Sequence, residues 1–139
     1  MREIKFRVWD KQNEVFIQSC KLWDIAESSN GAHSYYYGSI DNKKVTVDVV
    51  LQQFTGLLDK NGREIYEGDI LKVKGYDSWN DKVGFYYKSQ VFYCAPLARF
   101  RHSVKNFDNV TGTDFDFNVK DDIEAIGNVF ENPALITDK

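Results

Sequence analysis

Carboxylates crowd one stretch of this chain, at Asp114, Asp116, Asp121 and Asp122. On a strand, Asp114 and Asp116 would share a face and could converge on a divalent cation for metal-dependent hydrolysis. The same spacing also makes an acidic outer face that blocks edge-to-edge strand pairing, the commoner use of such charge. Histidine supplies two candidate bases, His33 in Gly31-Ala32-His33-Ser34 and His102 in a basic stretch. Nucleophilic catalysis needs Ser, Thr or Cys beside a positioned base, and a lone histidine does not define one. Both histidines therefore read as solvated or packing residues. Cys20 and Cys94 lie far apart without metal-type spacing. Cys94, within Val91-Phe92-Tyr93-Cys94-Ala95, reads as a small buried hydrophobe. No catalytic residue, metal ligand or cofactor is expected.

Asp59-Lys60-Asn61-Gly62 imitates part of a calcium loop. That loop requires Gly at position 6 and a bidentate Glu at position 12. Counted from Asp59, position 12 is Ile70; counted from two residues earlier, position 1 is Leu57. Neither register works, so the segment reads as a turn, with Asp bonding nearby backbone and Asn-Gly tolerating positive φ. The glycines match neither phosphate-loop nor dinucleotide spacing.

The remaining candidates belong to recognition. Trp79, beside Tyr76 in the turn-rich Gly75–Asp81 stretch, is either a ligand anchor or a ring folded back over the mouth of a barrel. Arg99, Arg101 and Lys105 form a local basic patch. Tyr35, Tyr36 and Tyr37 lack surrounding Lys or Arg and read as packing rather than base-stacking residues. With 139 residues, a net charge of −3 and a pI near 5.4, the whole chain gives no general electrostatic reason to seek nucleic acid. No run of 18 apolar residues predicts a membrane span, and the start has no secretory pattern. A cytoplasmic protein with both cysteines reduced is expected.

The elements that must hold these residues are mostly strands. Ile4, Phe6 and Val8 alternate with Lys5, Arg7 and Trp9, and Val15–Ile17 reads as the return strand after a polar turn. Leu22, Trp23, Ile25 and Ala26 predict a short helix over 21–28. Strands follow at Tyr35–Tyr37, through Val45, Val47 and Val49 to Phe54, over 70–74, at Val83–Tyr87, at Gln90–Tyr93, and over Phe115–Val119. Residues 99–113 read as the longest irregular stretch. The last strand spans Ile123–Phe130 with a bulge at Gly127. Pro133 ends its ladder, and Ala134-Leu135-Ile136 makes one helical turn. The fold class is mainly β, with at most one or two short helices: an N-terminal β subdomain over 1–53 and a small SH3-like barrel over 54–139.

Three blocks carry a family resemblance. The opening Met1-Arg2-Glu3-Ile4-Lys5-Phe6-Arg7-Val8-Trp9-Asp10, the central Gln53–Ile70 stretch containing Gly62-Arg63-Glu64-Ile65-Tyr66-Glu67-Gly68-Asp69, and the tail Ile126-Gly127-Asn128-Val129-Phe130-Glu131-Asn132-Pro133 resemble the YopX family of phage and prophage proteins. The resemblance implies a bacteriophage or prophage origin and a β-barrel type of fold. It carries over no reaction, cofactor or catalytic residue. The expected function is a non-enzymatic phage accessory module that binds a host or phage protein. The alternative is nucleic-acid binding through Arg99, Arg101 and Lys105, and metal-dependent hydrolysis at the acidic cluster comes third. Short strands with open edges make self-association compatible with any of these.

Overall fold

The structure is a computed structural model that describes residues 3–17, 25–27, 34–40, 43–77, 82–103, 113–115 and 123–137. Cys20, His33, Trp79, Lys105, Asp116, Asp121 and Asp122 lie outside them. The described residues are mainly strand. The chain divides into two compact units, Ile4–Gln53 and Phe54–Lys139, the second together with Met1–Glu3.

In the first unit, β1 (Phe6–Asp10), β2 (Val15–Ile17), β3 (Ile25–Glu27), β4 (Ser34–Ile40) and the first part of β5 (Lys43–Leu58) form an antiparallel sheet in the order β2-β1-β5-β4-β3. Asp10 fixes its first turn. The carboxylate is fully buried, and its Oδ1 accepts the backbone N–H groups of Gln12 at 2.8 Å and Asn13 at 3.1 Å. Asn13 Nδ2 donates to Oδ2 at 2.7 Å. That side chain closes the loop that brings Val15 opposite Asp10. Trp9 departs from the expected alternation: it is buried alongside Val8, its ring meeting Phe16 edge-on at 4.9 Å. The helix predicted over 21–28 is not formed at residues 25–27, which are strand β3 paired with Tyr36, Tyr35 and Ser34. Cross-strand pairing outweighs weak local helical spacing there.

In the second unit, the end of β5 pairs with β6 (Glu64–Tyr66), Phe54 opposite Tyr66 and Leu58 opposite Glu64. Then β7 (Asp69–Asp77), β8 (Lys82–Cys94), β9 (Arg99–Ser103), β10 (Thr113–Asp114) and β11 (Ile123–Asn128) form a five-stranded antiparallel sheet in the order β10-β9-β8-β7-β11. Helix α1 (Ala134–Thr137) is the expected single helical turn. Ile65, Leu71, Val73, Val91, Ile123 and Ala125 make the core, with Leu57, Tyr87 and Phe115 packed against it. Each large aliphatic side chain so buried contributes about 1.5–3 kcal/mol.

Three expectations are corrected here. The two strands at 83–87 and 90–93 are one continuous β8, because Ser89 faces inward and bonds a buried partner instead of breaking the run. The loop expected from Gly75 starts later: β7 continues to Asp77, with a register shift between Gly75 and Tyr76. Residues 99–103, expected to be irregular, are strand β9, paired residue for residue with β8. The bulge at Gly127 is present as a register shift between Ala125 and Gly127.

Candidate functional site

The acids with the best geometry for chemistry are Asp59 and Asp69, and both are engaged in hydrogen bonds that hold the fold. Asp59, 2% exposed, follows β5. Its Oδ1 accepts the N–H groups of Asn61 and Arg63, each at 2.9 Å, and its Oδ2 accepts the N–H of Ala125 at 2.9 Å. Three N–H dipoles therefore point their positive ends at one carboxylate, which disfavours a cation there. Gly62 completes the turn at φ 79°, its N–H donating to the Asp59 carbonyl at 3.0 Å. The Asp-Lys-Asn-Gly segment is thus a turn that clamps β11, joined to it again by Lys60 N–H on the Ile123 carbonyl at 2.9 Å. On the surface, Lys60 Nζ meets Glu124 at 3.0 Å, and that hydrogen bond and charge hold the ammonium above the ordinary lysine range.

Asp69 repeats the device. Its Oδ2 accepts Tyr66 N–H at 2.8 Å and its Oδ1 accepts Asn128 Nδ2 at 3.2 Å. Gly68, at φ 77°, donates its N–H to the Val91 carbonyl and accepts Val129 N–H, both at 2.9 Å. Asn128 Oδ1 accepts Phe130 N–H at 3.0 Å. The central and tail blocks that look like a family signature are therefore the two halves of one hydrogen-bonded joint. Gly127 stands inside it: a Cβ there would lie 2.7 Å from both Asn132 Oδ1 and Leu135 Cδ1.

The pair closest to a catalytic arrangement was missed in the sequence. His102 is neither solvated nor in a loop; it is a packing residue in β9, 3% exposed, with Nδ1 2.8 Å from Ser89 Oγ. Tyr87 stacks near it and Phe115 lies 5.0 Å away, ring centre to ring centre. Ser89 is equally buried. The pair satisfies two buried polar groups inside an aromatic cluster. Only the register of β8 on β9 brings them together, thirteen residues apart in sequence. Cys94 is a free cysteine with no exposure, as its apolar neighbours foretold. Among the described residues, no group of three or more His, Cys, Asp or Glu could hold a metal ion.

The recognition candidates do not converge. Tyr76 pairs with Val83 near one end of β8, whereas Arg99 pairs with Cys94 at the other. Positions 83 and 94 are 11 residues apart, roughly 35 Å along the strand at about 3.3 Å per residue. Arg99 and Arg101 share one face of β9; Arg99 is exposed and Arg101 half-buried, in register with Asp114. A cleft of about 180 Å³ beneath α1 is lined by Ile70, Lys88, Ser89, Gln90, Ser103, Leu135 and Ile136, and Lys88 Nζ donates to the Leu135 carbonyl at 3.1 Å. Sites for drug-sized ligands run to roughly 300–1,000 Å³, so this cleft is too small for one. Among the described residues, no helix is long and apolar enough to cross a membrane.

Among solved structures, the chain is similar to the crystal structure of protein EF1440 from Enterococcus faecalis, with 22% identity, a TM-score of 0.57, and coverage of 98% of this chain and 99% of that one. At that identity the likeness speaks for the fold alone. No curated protein matches the sequence. The family model described as YopX protein matches residues 5–137, which takes in the central block, the tail and residues 5–10 of the opening one. The chain therefore belongs to the YopX family.

Proposed function

We propose that this YopX-family protein is a non-enzymatic accessory protein of bacteriophage or prophage origin, working in the host cytoplasm by binding another protein. In this reading its 54–139 part is a small SH3-like barrel that presents side chains rather than a reactive centre. One observation carries it. Tyr86, Tyr93 and Leu97 are 55%, 42% and 45% exposed on β8 and the turn that follows it. Large aromatic and aliphatic groups standing in solvent are the raw material of binding hot spots.

The test is sedimentation of the tagged protein recovered from phage-infected or lysogenic cells. A protein complex of fixed stoichiometry is expected. Recovery of the bare chain alone, across lytic and lysogenic conditions, would overturn the proposal. A second reading, nucleic-acid binding, is favoured by one placement: Arg99 and Arg101 lie two residues apart on one face of β9. Gel shifts separate the two readings. Phosphate-driven binding weakens steeply with salt, by about 0.9 log units in affinity per log unit of salt for each phosphate neutralised on duplex DNA. A salt-insensitive protein complex keeps the first reading.

A further inference from the structure

Strand β8 has two exposed regions. One is the turn at its end, Ala95–Leu97, closed by Ala98 in the left-handed region at φ 51°. Ala95-Pro96-Leu97-Ala98 carries no charge, so it holds no signal for one kind of partner over another. The other lies on the outer face of β7 and β8, and it is basic. β7 sends Leu71 and Val73 into the core, so Lys72 and Lys74 fall on its opposite face. β8 sends Ser89 and Val91 inward, so Tyr86 and Lys88 fall on that same outer face. The register sets Lys72 directly across from Lys88, and Lys74 directly across from Tyr86. Three lysines thus surround one tyrosine, about 7 Å apart along a strand and about 4.8 Å apart between strands. Lys72, Tyr86 and Lys88 are all exposed.

The contacts these lysines make inside the fold are to uncharged groups. Lys72 Nζ lies over the Tyr86 ring, 4.6 Å from its centre. Lys88 Nζ donates to the Leu135 carbonyl at 3.1 Å, which leaves two of its three N–H groups. Among the described residues, no carboxylate forms an ion pair with Lys72, Lys74 or Lys88. Glu124 stands across from Lys72 on the other side, in β11, but its Oε2 meets Lys60 at 3.0 Å. Like charges directly opposed on neighbouring strands destabilise a sheet. Lys72 and Lys88 are such a pair, and an anion brought from outside would relieve it. The patch is also short. Glu124 bounds it at β11, and past Lys88 the same face passes beneath α1, where Ile70 and Gln90 line the cleft. A long polyanion such as nucleic acid would run off it onto a chain of net charge −3. A protein segment with a few carboxylates around an apolar side chain matches it in both size and chemistry.

Resting on the protein-binding reading above, we propose that Lys72, Lys74 and Lys88, grouped round Tyr86, form the docking patch for an acidic segment of the partner protein. The lysines speed association and set its orientation. Tyr86 supplies the apolar contact that persists at high salt.

Site-specific photo-crosslinking of the full chain in infected or lysogenic cells tests this, with p-benzoylphenylalanine placed in turn at Tyr86, Tyr93 and Leu58. The expected result is a crosslink to one protein from position 86, mapping to a partner peptide rich in Asp or Glu. Lys72→Glu combined with Lys88→Glu should lower its yield about tenfold or more, because like charges then face each other across the interface. Lys72→Arg combined with Lys88→Arg should keep it. Circular dichroism checks that each variant folds, and Lys74→Glu alone serves as the charge reversal if the double variant does not. A crosslinked peptide without acidic residues, a yield unmoved by charge reversal, or protein crosslinks only from positions 93 or 58 would overturn the patch. Each of those leaves the protein-binding reading intact. Crosslinks to nucleic acid, to a second copy of the chain, or to nothing at any position would overturn both.

Discussion

Two turns of the 54–139 unit solve the same problem in opposite ways. The turn at Asp59–Gly62 meets its backbone hydrogen-bonding needs with a side chain: one buried carboxylate accepts three N–H groups, one of them 66 residues away on β11. The turn at Ala95–Ala98 closes through its own backbone, and its Ala95, Leu97 and Ala98 are exposed. In the first, Asp59 cannot be removed without unpairing the N–H groups of Asn61, Arg63 and the buried Ala125. The second can change its side chains at little cost to the fold, which is the freedom a recognition surface needs. Asp59, Asp69, Ser89 and His102 are therefore held by partners inside the fold, while Tyr93 and Leu97 stand in solvent.

The sharpest attempt to break this comparison is Asp59→Ala. Removing the acceptor strands three N–H groups, and hydrogen bonds to a charged group are worth about 1.5–3 kcal/mol each. A destabilisation of about 3 kcal/mol or more is expected in urea unfolding. Asp59→Asn should fall between, because its amide oxygen can still serve Asn61 and Arg63 while its NH₂ confronts the Ala125 N–H. If Asp59→Ala costs under about 1 kcal/mol, the clamp is not what holds this joint.

Gly127→Ala comes next. The added carbon would collide with Asn132 Oδ1 and Leu135 Cδ1 at 2.7 Å. Both are side-chain ends that can move, but moving Asn132 breaks its bond to the Asn128 N–H at 3.2 Å. A loss of about 1–2 kcal/mol is expected, with faster hydrogen exchange at the Leu135 and Ile136 amides. Unchanged exchange there would show that the tail segment tolerates displacement.

Ala98→Gly should go the other way. Relief of the left-handed conformation outweighs the added freedom of the unfolded chain, giving a gain of roughly 0.5–1 kcal/mol. A loss would mean that the alanine methyl itself packs, and the contrast between the two turns would weaken.

The smallest effect belongs to Lys60 and Glu124. Lys60 is held above the ordinary lysine range by its hydrogen bond to Glu124 and that carboxylate's charge. A raised folded value adds stability at pH below the unfolded one and loses it as pH climbs through the folded one. Glu124→Gln should therefore be slightly less stable than the parent at neutral pH, and the gap should close as pH climbs through the folded lysine value. Because the lysine is exposed, the difference should shrink further in high salt. A large shift at neutral pH would show that this pair, rather than Asp59, fastens the turn to β11.

Local chemistry was legible in the chain. Asp59-Lys60-Asn61-Gly62 announced a turn because its bonding reaches only two to four residues ahead and its glycine needs positive φ. The final helical turn, the bulge at Gly127 and the buried Cys94 could be read for similar reasons. Strand limits were not. Lys88-Ser89-Gln90 looks like a polar break, yet Ser89 is an inward residue because His102 lies across from the strand to receive it. The residues at 25–27 look helical until Tyr35 and Tyr36 are placed beside them.

By itself, then, the sequence determined a mainly β chain, its turns, and its membership of a family with recognisable blocks. Composition, alternation and turn residues act over a few positions and need no partner to be read. Tertiary structure alone decided what those turns and His102 are for. It aimed the Asp59 carboxylate at the Ala125 backbone and the Asp69 carboxylate at the Asn128 side chain, sank His102 beside Ser89, and left Tyr93, Leu97 and Arg99 in solvent. Each of these outcomes depends on which strand lies next to which, a pairing made between residues tens of positions apart and set by burial of the shared core rather than by any short stretch of chain.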